Sequence, residues 1–456
     1  VVLLRSEDSA KYFAGFPTGY TIILGGVDER GYDATNELSH AVLDTFQDIR
    51  LPQPNLGVRM HEKAPMDFLV KVAETIRLGT GIPQLFNDEV IIPGFLNRGI
   101  SLEDARNYSV VGCVELSVPG KTYGLHDIAL FNLLKVLEIT LKEKSTTIKS
   151  YEELIEEVKN TVDRYIGYMI EGSNICDTAH GEAAQTPLLS CFVDDCMANK
   201  KDVSMGGAHY NFSGVQGIGI GNLSDSLYVI KKAIFEEKQM TLPELENILE
   251  SDFADHENLR QRFINKYEKY GNDVDEVDEI GNEILTYYCK QVEKFENVRG
   301  GIFQPGSYTV SAHIPLGEAV NATPDGRHAK EQLADGGLSP MVGRDHNGPT
   351  SVLKSVSKLD NYLTTNGSLL NLKFSKSVMD DQKGLMKFVH FMKSFMRLKI
   401  QHVQFNIVSA KTLREAQKHP ENYKDLVIRV AGYSAIFVEL NEAIQNDIIN
   451  RTEHEM

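Results

Sequence analysis

Short apolar segments alternate with longer amphipathic segments along most of the chain, and this alternation constrains the fold more than any other sequence feature. The short segments have the length of strands, and the longer ones repeat apolar residues every three or four positions, as helices do. Strands are predicted at residues 20–24, 56–60, 90–93, 215–220, 307–314 and 403–408. Helices are predicted at residues 37–49, 65–78, 128–141, 151–170, 242–250, 274–295 and 385–397. The pattern favours an α/β protein with parallel strands, and it leaves open whether they form a sheet or a barrel.

The charge balance limits the possible partners. The 456 residues include 64 acidic and 47 basic side chains, which gives a formal net charge of −17. Nucleic-acid binding requires clustered positive charge, so this excess of acid argues against it. No stretch approaches the ~18 consecutive apolar residues of a membrane span. We therefore expect a cytoplasmic protein with neither a nucleic-acid nor a membrane partner.

Five cysteines are scattered along the sequence, at positions 113, 176, 191, 196 and 289. Their odd number and the length of the chain argue against a disulfide framework and fit a reducing compartment. Cys191 and Cys196 lie close together, but no second pair and no histidine at ligand spacing accompanies them. We therefore predict no metal site.

The first segment with chemical content reads Val-Gly-Cys-Val-Glu over residues 111–115. Cys113 and Glu115 are two positions apart, so their side chains lie on one side of an extended strand or close together on a tight loop. Such a carboxylate can take a proton from a substrate hydroxyl while the sulfur attacks a neighbouring atom. Taken alone the pair is a weak signal, because a lone cysteine beside apolar residues is more often a small buried hydrophobe.

The second segment reads Arg-Val-Ala-Gly-Tyr-Ser-Ala over residues 429–435. Gly432 stands 24 residues before the end (456 − 432) and can be a backbone position that requires a positive φ. Glycine also supports a carbon-centred radical. Loss of one α-hydrogen leaves a planar carbon between an amide nitrogen that donates electrons and a carbonyl that accepts them, and no side chain opposes planarity.

Together these segments resemble the glycyl radical enzymes. Residues 429–435 match the glycyl radical fingerprint, and residues 111–115 resemble the Gly-Cys-Val-Glu loop of the family's diol-dehydratase-like branch. Supporting segments lie at residues 33–38, 51–55, 86–89, 321–327 and 402–406. The likeness runs from end to end of the chain, with the two catalytic motifs in the family's order.

The resemblance implies a role for each of three catalytic residues. Gly432 stores the radical, and Cys113 receives it as a thiyl that abstracts hydrogen from a substrate carbon. Glu115 is the base that deprotonates the adjacent hydroxyl. The resulting ketyl expels its β-substituent, so the expected reaction is cleavage of a C–O, C–N or C–S bond.

Four further residues are predicted to contact the substrate. His126 and Asp127 belong to a Gly-Leu-His-Asp run similar to that of the diol and choline branches. Gln304 and Tyr308 stand where the family lines its pocket, and a purely structural role explains these two equally well.

The fold implied by the resemblance is a ten-stranded α/β barrel of two five-stranded halves. The barrel domain is predicted at residues 1–395 and the glycyl radical domain at residues 396–456. Family members are considerably longer, so we expect the chain to lack the N-terminal part of the barrel. It is then a fragment, one half of a split protein or a truncated product, and inactive alone.

The resemblance also implies partners. No bound cofactor is expected, and the radical at Gly432 is installed by a separate activating enzyme that uses an iron–sulfur cluster and S-adenosylmethionine. We also expect the protein to form a homodimer, to act in anaerobic metabolism and to bind a small hydroxylated substrate.

Four alternative functions remain open. The formate C-acetyltransferase reaction of pyruvate formate-lyase uses two adjacent cysteines, whereas Cys113 is flanked by Gly112 and Val114. Decarboxylating members also carry the glutamate and remain a weaker option. A spare-part subunit would require only the glycine segment, and a non-catalytic remnant would not be expected to keep both motifs.

Overall fold

The computed structural model of the chain describes residues 2–4, by their backbone, and residues 20–455. Strands β1 to β14 are, in chain order, Val2–Leu4, Thr21–Gly25, Asn55–Met60, Gln84–Asn87, Ser109–Val111, Glu115–Ser117, Thr122–Asn132, Tyr210–Ile218, Phe303–Gly306, Asn371–Phe374, His402–Ile407, Val427–Arg429, Ser434–Ile436 and Glu453–His454.

The α-helices span Glu37–Ile49, Met66–Arg77, Asp88–Leu96, Leu102–Arg106, Leu133–Lys144, Tyr151–Ala183, Pro187–Ser190, Cys196–Asn199, Ile220–Ile230, Leu242–Glu250, Glu257–Asn265, Asp275–Val292, His313–Glu318, Pro349–Lys358, Gln382–Arg397, Ala410–Lys418 and Glu442–Asn450. Short 3-10 helices lie at Val203–Met205, Lys376–Met379, Pro420–Asn422 and Phe437–Glu439, and a π-helix at Lys231–Glu236. No helix in the described part of the chain is long and apolar enough to cross a membrane.

The central strands form one array with two parallel halves. In one half β7, β8 and β9 are parallel, a parallel bridge from Ser307 to Ser368 continues towards β10, and β10 is parallel to β11. In the other half β2, β3 and β4 are parallel, and β4 meets β11 in the opposite direction. Among the described residues β2 is one outer strand and β1, which pairs antiparallel with β7, is the other. β14 pairs parallel with β10 at the remaining end of the six-stranded sheet. The predicted α/β class and its division into two parallel halves are confirmed.

Two short hairpins are attached to this array. β5 pairs with β6 and β12 pairs with β13, both antiparallel. Around their tips lies a hydrophobic cluster distinct from the larger core between the strands and the long helices. It contains Val114 and Ile428 from the hairpins, and it packs against the helices Asp88–Leu96, Ala410–Lys418 and Glu442–Asn450. The fold therefore buries both hairpin tips in one apolar environment.

Two helix predictions coincide with the structure, at Glu37–Ile49 and Leu242–Glu250. The second begins with the capping box that its sequence predicts, because Thr241 and Glu244 each accept a hydrogen bond from the other's backbone N–H.

The predicted strand at residues 90–93 is wrong. This apolar run belongs to the helix Asp88–Leu96, which Asn87 caps by accepting a hydrogen bond from the N–H of Glu89 at 3.1 Å. A short run of apolar residues is compatible with a buried strand and with a buried helix. The helix cap at Asn87 distinguishes the two here.

Two further predictions are misplaced. Residues 128–132 of the predicted helix 128–141 are the end of β7, and the helix begins only after Asn132, whose side chain caps it at Lys135 N. The predicted strand 307–314 is also wrong: β9 ends at Gly306, and the chain then turns into the helix His313–Glu318.

Candidate active site

The cysteine motif forms the tip of the β5–β6 hairpin. Val111 pairs with Glu115, and the chain turns at Gly112 with a φ of +65°, which favours glycine. The N–H groups of Cys113 and Val114 both donate to Glu115 Oε2, each at 2.6 Å. Of the two arrangements that the sequence leaves open, the structure has the tight loop, with the carboxylate folded back under the cysteine.

The glycine motif forms the tip of the β12–β13 hairpin. Val430 N donates to the carbonyl of Tyr433 at 2.9 Å and closes the turn. Gly432 adopts a φ of +84° within it. The side chains of Arg429 and Tyr433 on either side are almost completely buried, so the glycine is shielded from solvent.

The two tips touch although Cys113 and Gly432 are 319 positions apart (432 − 113). A Cβ on Gly432 would lie 2.2 Å from Cys113 Cβ and 2.8 Å from Cys113 Sγ. Since a Cα–Cβ bond is about 1.5 Å long, the sulfur is within about 4.3 Å of the Gly432 α-carbon. This is close to van der Waals contact, and no side chain other than hydrogen fits at position 432 without displacing the cysteine.

Burial controls the protonation of the cysteine. Burial raises the pKa of the Cys113 thiol well above its usual value, the negative charges of Glu115 and Asp127 raise it further, and the Arg429 guanidinium opposes them. The sulfur therefore keeps its hydrogen at neutral pH. A protonated thiol is the form that can give a hydrogen atom to a radical.

The pKa of Glu115 is shifted in the same direction. Burial raises this pKa to about 8, and the charge of Asp127 adds to the shift. Hydrogen bonds from the backbone N–H groups of Val114 and Cys113 favour the carboxylate and limit the shift. Glu115 can consequently gain or lose a proton near neutral pH, as a general base requires.

Asp127 and Tyr308 form a pair beside this group. Tyr308 Oη donates to Asp127 Oδ1 at 2.7 Å, and burial raises the pKa of the phenol well above its usual value. Asp127 also lines a cavity of about 160 Å³, together with Leu125, Ile128, Cys176, Asp177 and His180. Asp127 therefore borders this cavity and is also near enough to Cys113 and Glu115 to raise the pKa of both.

His126 is held rigidly next to this pair. Its Nδ1 lies 2.8 Å from Asn366 Oδ1, and its carbonyl accepts hydrogen bonds from Asn366 Nδ2 and Gln216 Nε2, both at 2.7 Å. Burial lowers the pKa of the imidazole to about 4, so the ring is neutral.

Gln304 faces the same interior. It pairs with Gly214 in the parallel register of β8 and β9, and paired residues point to the same face. A Cβ on Gly214 would contact the Asn366 amide and the His126 carbonyl, which identifies that face. The Gln304 amide is fully buried and has no hydrogen-bond partner among the residues that the structure describes.

Several polar residues of the site received no role in the sequence analysis. They are Thr21, Asn55, Gln84, Asn366 and Gln404, which bind the two hairpins or His126. A signal was present in β11, where polar residues alternate at positions 402, 404 and 406 of a completely buried strand. Asn55 and Gln404 lie within segments 51–55 and 402–406, which resemble the family but do not themselves indicate a function for these residues.

Fold and site together define a class: an α/β protein in whose interior a cysteine hairpin meets a glycine hairpin. Comparison with known families agrees. Residues 1–317 match the family described as "Pyruvate formate lyase-like", and residues 334–438 match that described as "Glycine radical". The chain belongs to the pyruvate formate lyase-like family of glycyl radical enzymes.

Curated relatives include dehydratases and lyases. The chain is 39% identical to the (2S)-3-sulfopropanediol dehydratase of Klebsiella oxytoca, over 95% of this chain and 55% of the relative. It is 37% identical to the trans-4-hydroxy-L-proline dehydratase of Clostridioides difficile, over 99% of this chain and 58% of the relative.

Solved structures agree as well. The glycerol-bound B12-independent glycerol dehydratase of Clostridium butyricum superposes with a TM-score of 0.97 at 43% identity, over 100% of this chain and 59% of that one. A glycyl radical enzyme of Archaeoglobus fulgidus superposes with a TM-score of 0.94 at 36% identity, over 99% and 59%. The chain therefore spans less than two thirds of the length of these relatives.

Proposed function

We propose that the protein that contains this chain is a glycyl radical lyase, which cleaves a C–O, C–N or C–S bond of a small hydroxylated substrate. The contact between the Cys113 sulfur and the Gly432 α-carbon, beside a buried carboxylate, carries this proposal. Similarity to proteins named as sulfopropanediol, hydroxyproline and glycerol dehydratases supports the substrate class.

The reaction begins with transfer of one hydrogen atom. The S–H bond of Cys113 breaks, a C–H bond forms at the Gly432 α-carbon, and the sulfur becomes the radical. The thiyl then takes a hydrogen atom from the substrate carbon that bears the hydroxyl. Because no charge moves in either transfer, the apolar surroundings of Cys113 do not hinder them.

Glu115 removes the hydroxyl proton from the substrate radical. The resulting ketyl expels the neighbouring substituent with its electron pair, and the product radical recovers a hydrogen atom from Cys113. Asp127, Tyr308, His126 and Gln304 provide polar groups around this position, and we assign them to substrate binding. The cavity beside Asp127 is the proposed approach for the substrate.

The radical itself comes from a partner. We propose that a separate activating enzyme with an iron–sulfur cluster and S-adenosylmethionine removes the α-hydrogen of Gly432. We further propose that the protein is a cytoplasmic homodimer, with a barrel domain at residues 1–395 and a glycyl radical domain at residues 396–456.

If Glu115 is the base, turnover must follow its titration. The carboxylate is the active form, so kcat/KM of the activated protein is expected to rise with pH and to level off above about 8. Below that pH it falls about tenfold per unit, because kcat/KM reports the pKa values of the free enzyme. Glu115→Gln is expected to lower turnover about 10²- to 10⁴-fold while leaving the radical yield unchanged in electron paramagnetic resonance.

The Asp127→Asn variant tests whether the charge of Asp127 contributes to the raised pKa of Glu115. Its neutral amide no longer raises the pKa of Glu115, so the acidic limb of the pH profile is expected to move to lower pH. A wild-type limb near the ordinary glutamate value of about 4.3 would contradict the assignment of Glu115.

Gln304→Leu tests whether the unpartnered amide binds substrate. A leucine of similar size removes an unsatisfied buried polar group, so the melting temperature of the variant is expected to rise. If the amide contacts a substrate hydroxyl, KM rises about tenfold in the same variant. A more stable protein with an unchanged KM would show that Gln304 has no part in binding.

A further inference from the structure

Two buried amide side chains, joined by a buried arginine, hold the peptide groups on both sides of the Gly432 α-carbon. Gln404 Oε1 accepts a hydrogen bond from Gly432 N at 3.0 Å, and Asn55 Nδ2 donates to the Gly432 carbonyl at 3.3 Å. The Arg429 guanidinium joins them, because Nε donates to Gln404 Oε1 and Nη1 to Asn55 Oδ1, both at 2.7 Å. We call Asn55, Gln404 and Arg429 the amide clamp.

The amide clamp also binds the cysteine hairpin. Asn55 Nδ2 donates to the Gly112 carbonyl at 3.0 Å. Arg429 Nη2 donates to Gln84 Oε1 at 2.6 Å, and the other end of the Gln84 amide donates to the Cys113 carbonyl. One connected set of hydrogen bonds therefore fixes both hairpin tips, and with them the distance from sulfur to α-carbon.

The clamp is built to be rigid. Burial lowers the pKa of Arg429 to about 9, which leaves the guanidinium charged at neutral pH, and its hydrogen-bond acceptors here are amide and hydroxyl oxygens. Hydrogen bonds from a charged donor are stronger than neutral ones. The backbone at Gly81 also packs tightly against Arg429, since a Cβ on Gly81 would lie 2.3 Å from Arg429 Cβ, and this limits movement of the arginine.

The clamped backbone is twisted at the glycine. With a φ of +84°, the Cα–C bond of Gly432 stands nearly perpendicular to the plane of the preceding peptide. The half-filled orbital of a radical at this carbon would then lie close to that plane. It would overlap poorly with the π system of the Gly432 nitrogen, so the nitrogen would take little part in delocalising the spin.

We propose that the amide clamp holds Gly432 in this twisted geometry, so that the stored radical is only partly delocalised and returns readily to Cys113. This inference rests on the proposed radical function of Gly432. A partly delocalised radical is less stabilised and lies closer in energy to the cysteine thiyl. Transfer of a hydrogen atom from Cys113 to the glycyl carbon is then less uphill and therefore faster, with one hydrogen atom exchanged and no change in charge.

The alternative is that these amides only satisfy the hydrogen bonds of a buried hairpin. Variants of the clamp would then lower stability without changing the electronic structure of the radical. The two cases differ in the hyperfine couplings of the radical, which depend on where the spin resides, and in the rate at which solvent deuterium enters the Gly432 α-position through the thiol of Cys113.

The test uses the intact protein after anaerobic activation, with and without ¹⁵N-labelled glycine. Gln404→Met fills a similar volume but releases the Gly432 N–H, so the peptide can rotate towards coplanarity. We expect a smaller α-hydrogen splitting, a larger nitrogen coupling, and deuterium exchange about five- to tenfold slower, the factor that one net hydrogen bond is worth. Gln404→Glu retains the acceptor and is expected to keep the wild-type splitting.

Two more variants complete the comparison. Asn55→Asp keeps the acceptor for Arg429 but removes the donor to the Gly432 carbonyl, and an altered splitting is expected here even if Gln404→Met fails to fold. Gln401→Met is a matched control: it removes a buried amide whose partners are Ser368, Asn361 and Thr364. We expect it to lose stability and to keep wild-type hyperfine couplings.

Two outcomes distinguish a failure of the proposed function from a failure of the amide clamp alone. Absence of any glycyl radical in the activated wild-type protein would overturn the proposed function and the clamp together. A wild-type radical whose couplings and exchange rate are unchanged in Gln404→Met and Asn55→Asp would overturn the clamp alone and leave the proposed function standing.

Discussion

Replacing Cys113 with alanine is expected to abolish turnover and to leave the radical at Gly432 intact. The loss should be at least about 10⁶-fold, the lower end of enzymatic rate enhancement, because no other described residue can carry the radical from the glycine to a substrate. The measurement is substrate turnover alongside the electron paramagnetic resonance signal after anaerobic activation. Deuterium exchange at the Gly432 α-position should stop as well, since the thiol hydrogen is its route.

Cys289→Ala is the matched control for this prediction. Cys289 is also a completely buried thiol, and it lies in the helix Asp275–Val292, outside the cluster around the hairpin tips. Its loss removes a similar volume from the core and is expected to cost stability alone. Turnover by Cys113→Ala at more than a small fraction of the wild-type rate would remove the thiol from the mechanism.

Exposure of the activated protein to oxygen is expected to cut the backbone at Gly432. Oxygen adds to the α-carbon radical, and scission there releases a short piece that contains residues 433–456 of the chain. Mass spectrometry of the denatured protein detects this piece and locates the break. The protein that has not been activated should remain whole, because it holds no radical.

Gly432→Ala should prevent this cleavage. Turnover is a poor readout for the variant, because an alanine Cβ would lie 2.2 Å from Cys113 Cβ at a backbone φ of +84°. The strain displaces the hairpin and would stop catalysis even if the glycine were only a turn residue. Cleavage distinguishes the two cases, since it requires the radical rather than the geometry.

Gly271→Ala is the corresponding control. Gly271 has a φ of +95°, and its Cβ would lie 2.3 Å from Pro340 Cγ, so the substitution introduces comparable strain away from the site. This variant, once activated, should still be cut at Gly432. An activated wild-type protein that survives oxygen without any break would contradict radical storage at this residue.

The sequence predicted the class of fold and the family, and both are confirmed. The Cys113–Glu115 pair is a weak signal taken alone, and the family is recognised because this pair and the glycine fingerprint occur in one chain, in the family's order. The predicted element boundaries agree less closely with the structure. Residues 90–93 and 307–314 were predicted as strands because apolar runs of this length are compatible with either element once they are buried.

The amide clamp could not have been predicted from local patterns. Gln404 belongs to the alternating polar positions of β11, and Asn55 is the first residue of β3, but neither pattern indicates a common partner. The partner is Arg429, whose guanidinium is buried between them. A buried guanidinium needs hydrogen-bond acceptors, and the two amide oxygens supply them. The reason for the two amides is therefore visible only in the tertiary structure.

The sequence by itself determined which groups the two motifs contain: a thiol two positions from a carboxylate, and a glycine within the radical fingerprint. It also determined that the surrounding strands are apolar enough to bury them. Only the tertiary structure decided that Cys113 and Gly432 touch, that Glu115 folds back under the cysteine, and that burial raises its pKa to about 8. The physical reason is that these contacts join strands that are distant in sequence, and that desolvation and hydrogen bonding depend on the neighbours that packing brings together.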